Sequence, residues 1–247
     1  MSASAISLKM TGTSPRSLAR QAGICQLLAA ITATFGEVII PGKLFVSGNV
    51  AATAANILGH AALFRWGFAF SIVGILFHIV WAVLLCSLLK PVSKRISQCA
   101  AYVMIVACSI QALAGLLYLG ALIVLQNGSS LSGFSAEQLN VLAFTFLKLS
   151  GNAIYVFSIF FGVWLLLIGF LILKSTFLPR VLGVLVSIAG LAWTIYIVPP
   201  VAVQLFPFIA AASALGEIPL ELWLIVKAVN EQKWKEQALT AASSMNE

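Results

Sequence analysis

Glu217 and Glu221 stand four residues apart, with Pro219 between them, inside an apolar run at 207–226. Residues at that spacing share one face of a helix. Pro219 has no backbone donor to offer, which frees the carbonyl of Leu215. Two carboxylates held together in a low-dielectric medium cannot both ionise cheaply. A carboxylic acid in such a place, with an imidazole in reach, has the make-up of a general acid or a proton carrier. His78 is the imidazole at matching depth, at the middle of an apolar run at 66–89, and Gln111 lies near the middle of another at 99–125. Glu217 and His78 are therefore the candidate acid and base, with Gln111 and Glu221 as candidate ligand-binding neighbours and His78 expected to face Glu217. An outer polar layer is expected from Glu37, Arg65, Lys148 and Asn152, close to the ends of their runs. Of these, Glu37, Arg65 and Asn152 join the candidate ligand-binding set, and Glu37 is expected to pair with Arg65 or Lys148. Both layers also have a plain structural reading. A Glu or His inside a bundle fixes helix packing through hydrogen bonds, and an ion pair at headgroup level is an ordinary anchor.

The elements that must position these groups follow from composition. Of 247 residues, 61% are hydrophobic and 9% charged, against about a quarter charged in soluble domains. So few charges cannot make a water-facing surface, so lipid is the solvent for most of the chain. Apolar stretches at 21–40, 66–89, 99–125, 151–173, 181–198 and 207–226 each approach the roughly 20 residues that span a bilayer. Backbone groups in lipid must be satisfied internally, and continuous runs without strict alternation select helices over a barrel. The expected fold is all-α, a bundle of six transmembrane helices.

Two outer connections are long. Val50, Ala54, Ile57, Leu58 and Ala61 recur at helical spacing, which predicts a short amphipathic helix on the membrane surface. Ser135 followed by Gln138 makes a capping box and opens a second such helix through about Leu149, with Gly151 expected to break or bend it before the fourth span. The third hairpin turns on Pro199, Pro200 and Pro207. No sequence repeat is evident.

Orientation rests on the cations. With the N-terminus inside, eleven of the fourteen Lys and Arg residues fall in cytoplasmic segments, leaving Lys43, Arg65 and Lys148 outside. The positive-inside rule then sets both termini in the cytoplasm. The expected organisation is a cytoplasmic tail at 1–19, one membrane domain at 20–228 and a cytoplasmic tail at 229–247, with the polar ends loose. Lys9, Arg16 and Arg20 precede the first run as in a signal peptide, but that run exceeds the roughly 7–15 residues of a signal core. The net charge of +7 is absorbed by topology, and no basic stripe with interleaved aromatics points to nucleic acid. Cys25, Cys86, Cys99 and Cys108 match no zinc spacing, and no metal or cofactor is called for. Tryptophans at 66, 81, 164, 193, 223 and 234 are expected mostly in interface belts. Ala29/Ala33 and Gly183/Ser187 are helix-packing signals. Asn127-Gly128-Ser129 is a glycosylation acceptor pattern.

Several stretches resemble a bacterial family of small membrane proteins defined only as a domain of unknown function. They are Gly36-Glu37, Ala51-Ala52-Thr53-Ala54-Ala55-Asn56-Ile57, Leu63-Phe64-Arg65, Lys90-Pro91-Val92, Phe160-Phe161-Gly162 with Gly169, Leu178-Pro179-Arg180 with Leu182-Gly183, and Gly216-Glu217 leading to Leu222-Trp223. The resemblance implies a bacterial plasma-membrane location and no established activity. It also implies a carboxylate where His78 stands and an Asp where Asn49 stands. Three functions fit these readings. The first is binding of a small lipophilic or lipid-like molecule in an intramembrane polar pocket. The second is an intramembrane acid/base enzyme acting on a lipid or isoprenoid, and the third is an accessory subunit whose polar groups only fix packing. Membrane lipid is the expected partner in each.

Overall fold

Each apolar run has no water for its amides and carbonyls, so each closes its hydrogen bonds within itself. The computed structural model describes residues 14–128 and 133–243, and every regular element among them is helical. In chain order these are α1 (Pro15–Leu44), α2 (Val50–Gly59), α3 (Ala61–Leu89), α4 (Lys94–Gln126), α5 (Ala136–Lys174), α6 (Arg180–Ile197), α7 (Pro199–Gln204), α8 (Phe206–Val226) and α9 (Glu231–Ser243). Six of them, α1, α3, α4, α5, α6 and α8, are long and apolar enough to cross a bilayer. The chain is an all-helical, multi-pass membrane protein. Lys9 and Ser129 of the acceptor pattern lie outside the described residues.

The helices overrun the apolar stretches that announce them. α1 does not stop at Pro41. Its segment Thr34–Ile39 widens into a π turn, with Ile40 N–H bonded to Phe35 O, and the helix then continues to Leu44. A proline ring clashes with the carbonyl four residues back, and the extra residue of a π turn is one way to absorb it. α5 likewise begins at the capping box: Ser135 N–H donates to Gln138 Oε1 at 2.8 Å and Gln138 N–H to Ser135 Oγ at 3.2 Å. It then runs unbroken to Lys174, so the expected second surface helix is the first part of the fourth span. Gly151 does not interrupt it, because a mid-helix glycine costs only about 1 kcal/mol. The C-terminal tail is not loose either. It forms α9, whose Trp234 Nε1 donates to Leu88 O at 2.8 Å and whose Gln237 bonds Lys174 O and Thr176.

The described chain divides into two compact units. One comprises the segment ending at Leu27, Ile79–Val106 and the segment from Ser158 on. In it α5 and α6 cross at paired glycines: a Cβ on Gly162 would lie 2.7 Å from Gly190 O, and one on Gly183 would lie 2.9 Å from Gly169 O. Only residues without a side chain allow so close an approach. Trp81 and Trp164 are fully buried and meet edge to face at 4.3 Å, so these two are core residues and not interface anchors. The outward positions of α6 and α8, Val181, Leu191, Leu215 and Val226, are apolar and exposed, as lipid-facing positions are.

The other unit comprises Leu28–His78 and Ala107–Phe157. Its core gathers Ile40, Leu44, Ile57, Phe64, Leu122 and Leu139, with Phe64 stacked on Tyr118 at 3.9 Å. The turn from α1 into α2 passes through Gly48, whose φ of 73° a side chain would resist. Asn49 then caps α2 by accepting from Ala52 N–H at 2.9 Å. Thr53 and Asn56 bond back to Val46 and Leu44 at the end of α1. α2 buries Ala54 and Ile57 of its predicted stripe, while Leu58 stays exposed.

Candidate functional site

The carboxylate of Glu217 sits at the middle of α8, half-buried, with hydrogens directed at both oxygens. Gln26 of α1 donates from Nε2 to Oε2 at 3.1 Å. Ser213, one turn earlier on α8, donates from its hydroxyl to Oε1 in a short contact. Ser213 Oγ in turn accepts from Trp193 Nε1 of α6 at 3.1 Å. The donors thus form a line from indole to hydroxyl to carboxylate, and the amide closes it from the other side. Glu221, one turn further along α8, is buried and lies near the Gln26 side chain. Gln26 is 2% exposed, and its Oε1 has no hydrogen-bond partner.

Glycines make this approach possible. A Cβ on Gly216 would lie 2.7 Å from both Leu185 O and Ala189 Cβ of α6, and one on Gly23 would meet Glu221 O at 3.0 Å. α8 is therefore pressed against α6 on one side and α1 on the other, at the depth of Glu217. The ring of Trp193 stacks on Tyr196 at 5.9 Å and meets Phe161 edge-on at 5.9 Å. The carboxylate thus has an aromatic wall beside it.

The second unit holds a like arrangement. Glu37, in the π turn of α1, accepts from Gln111 Nε2 of α4 at 2.6 Å. Gln111 is buried and its side chain also contacts the imidazole of His78, which is buried and stacks 6.4 Å from Phe157. Here too a glycine precedes the carboxylate: a Cβ on Gly36 would lie 2.8 Å from Gly67 O of α3. Each unit therefore carries one Gly-Glu pair with a glutamine from another helix on its carboxylate.

The candidate residues are sorted accordingly. Glu217 and Glu221 come together, and Gln111 and His78 come together, each pair within its own unit. Glu37 leaves the outer layer. The ion pair expected with Arg65 or Lys148 does not form, because α1 continues past Pro41 and carries Glu37 to Gln111 instead. Arg65 donates to Gln126 Oε1 at 2.9 Å, and Lys148 lies over the Phe144 ring at 5.2 Å. Asn152 is exposed on α5. Sequence reasoning overlooked Gln26, Ser213 and Trp193. The signal for the first two was present, since Gln26 interrupts an apolar run and Ser213 precedes Glu217 by one turn. Neither of two cavities, one of about 640 Å³ lined by Leu173–Ser175 and Arg180 and one of about 370 Å³ beside Phe134 and Thr145, reaches any of these side chains.

The model of the family described as domain of unknown function DUF4386 matches residues 21–228. The chain belongs to this family. The matched range contains both Gly-Glu pairs and their glutamines, while α9 lies beyond it. A relative within reach of comparison is an uncharacterized protein of Archaeoglobus fulgidus, 33% identical over 168 residues, which are 64% of this chain and 83% of that protein. No solved structure matches the chain.

Proposed function

We propose that this protein binds a small lipophilic molecule within the membrane, with the polar end of that molecule held at Glu217. One observation carries the reading: a half-buried carboxylate at mid-span is surrounded by aligned donors, beside a buried amide oxygen left without a partner. Exposing an acid to hydrocarbon costs about 2.5 kcal/mol or more on insertion scales. An orphaned buried acceptor adds about 1–3 kcal/mol. A ligand with a polar end and an apolar body offsets both, because lipophilic sites typically combine apolar walls with a few convergent polar groups. Supporting the same reading, the walls here are Trp193, Tyr196 and Phe161.

The compartment in this proposal is the bacterial plasma membrane, with both termini cytoplasmic, supported by the distribution of Lys and Arg between alternate connections. Native mass spectrometry of the purified protein tests the binding. The wild type is expected to retain an adduct of lipid-like mass that Glu217→Gln, folded to the same helical content, loses. Wild-type protein free of adduct after gentle extraction, and unshifted in melting temperature by added membrane lipid extract, would overturn the proposal.

A further inference from the structure

The connection from α5 to α6 walls the larger cavity, of about 640 Å³, lined by Leu173, Lys174, Ser175, Thr176, Leu178 and Arg180. Its volume falls within the roughly 300–1,000 Å³ of small-molecule sites. The lining brings two cations and no acid. Ion pairs among the described residues join Arg16 and Lys235 to Glu231, so no carboxylate neutralises Lys174 or Arg180. Arg180 is also the first residue of α6, where Pro179 offers no side-chain cap. The partial positive charge of that helix end adds to the two full ones.

Hydrogen bonds hold this lining in place. Thr176 N–H and the Thr176 hydroxyl both donate to Gln237 Oε1 of α9 at 2.9 Å, and Gln237 Nε2 donates to Lys174 O at 3.3 Å. Ser175 is buried and turns its hydroxyl to Ile172 O at 2.8 Å. The backbone that carries the cations is therefore fixed before anything binds, which lowers the ordering cost of binding.

The chemistry of an occupant follows. A guanidinium fork and an ammonium point charge together suit a phosphate group. A zwitterionic headgroup is served less well, because no acidic residue lines the cavity to receive its ammonium. The setting is apolar as well: Phe170, one turn before Lys174, and Val181, next to Arg180, are both exposed. Cations at the ends of spans lie at headgroup depth, where anionic lipids meet them. We infer that this cavity takes the phosphate of an anionic membrane lipid against Lys174 and Arg180, with its acyl chains beside Phe170 and Val181. The site is separate from the Glu217 cluster, whose side chains the cavity does not reach.

Lipid competition on the full chain tests this. The protein in neutral detergent is titrated with phosphatidylglycerol, phosphatidylcholine or inorganic phosphate, and read by native mass spectrometry and thermal unfolding. Wild type is expected to hold phosphatidylglycerol about tenfold or more tighter than phosphatidylcholine, the worth of a charge-assisted hydrogen bond. The double variant Lys174→Gln/Arg180→Gln is expected to lose that preference. Lys90→Gln/Lys94→Gln, which removes the same charge from the connection between α3 and α4, is expected to keep it. Gln237→Leu leaves both cations but frees the lining, and is expected to weaken phosphatidylglycerol binding; it serves if the double variant does not fold. Equal binding of the two lipids by wild type overturns the inference, as does an equal loss in both double variants, which would mean diffuse charge attraction. Stabilisation by inorganic phosphate as large as that by phosphatidylglycerol overturns the lipid assignment in favour of a free anion.

Discussion

A buried amide that bonds a carboxylate through its nitrogen and leaves its oxygen unpartnered is an unstable arrangement by itself, and Gln26 shows why ionisable residues alone did not reveal the site. Glu217, Glu221, His78 and Gln111 were legible in the sequence because polar groups inside apolar runs are rare and costly. Which of them meet was not legible, since that depends on helix rotation and on glycines that set the closest approach. Gln111 illustrates the energetics. Its Nε2 holds Glu37 at 2.6 Å, and Gln111→Leu is expected to lower unfolding stability by about 1–3 kcal/mol, because the carboxylate keeps its desolvation cost and loses its donor. The double variant with Glu37→Leu should recover part of that loss, which denaturant titration of the four proteins would show as a coupling energy. Ala228 offers the opposite sign. It closes α8 with φ of 56° and its N–H bonded to Trp223 O, a position usually taken by glycine. Ala228→Gly should raise the melting temperature, relieving about 1 kcal/mol of left-handed strain; a lowered value would refute this account of the turn.

At the level of elements, two glycines inside apolar helices have opposite consequences. Gly216 lies under 3 Å from the backbone of α6 if given a Cβ, whereas Gly151 has nothing within 4 Å. Gly216→Ala should therefore destabilise, by about 1–3 kcal/mol for an overpacked contact with unyielding backbone. Gly151→Ala should stabilise α5 by about 0.5–1 kcal/mol, the difference in helix propensity. Thermal unfolding in one detergent ranks the two against wild type, and the same sign for both would remove the distinction. These cases also show what sequence could decide about elements. The capping box at Ser135 and Gln138 fixed the start of α5, because its hydrogen bonds are local. The first apolar run was read as closing at residue 40 and Gly151 as breaking or bending a helix, yet α1 and α5 run on through both, because in an apolar setting an open turn costs more than a glycine or a π turn. The tail was read as loose from its polarity, yet α9 is tied down by Trp234 and Gln237 through partners 146 and 63 residues away in sequence. No local pattern carries that information.

For the whole molecule, the number of spans and the side on which each connection lies are separate questions, and only charge answers the second. Six helices are long and apolar enough to cross, and an even number of crossings is expected to return the chain to the side on which it started. The connection between α3 and α4 carries Lys90, Lys94 and Arg95, and that between α5 and α6 carries Lys174 and Arg180. The outer connections and the helix ends beside them hold Lys43, Arg65 and Lys148, against eleven on the other side. Cytoplasmic retention of Lys and Arg in short connections is what orients multi-pass chains. Reporter fusions after Ser93, Phe177 and Glu236 should accordingly read as cytoplasmic, and fusions after Gly48 and Gly133 as external. Phe177 is the most demanding of the five positions, because its connection to α6 is short and holds only two cations. Its N–H-accepting carbonyl bonds Asn230 at 3.3 Å, so Phe177 and the start of α9 must report the same side. A fusion at Phe177 reading external, with Ser93 reading cytoplasmic, would mean that α4 and α5 do not both cross, and the six-span arrangement would fall with it.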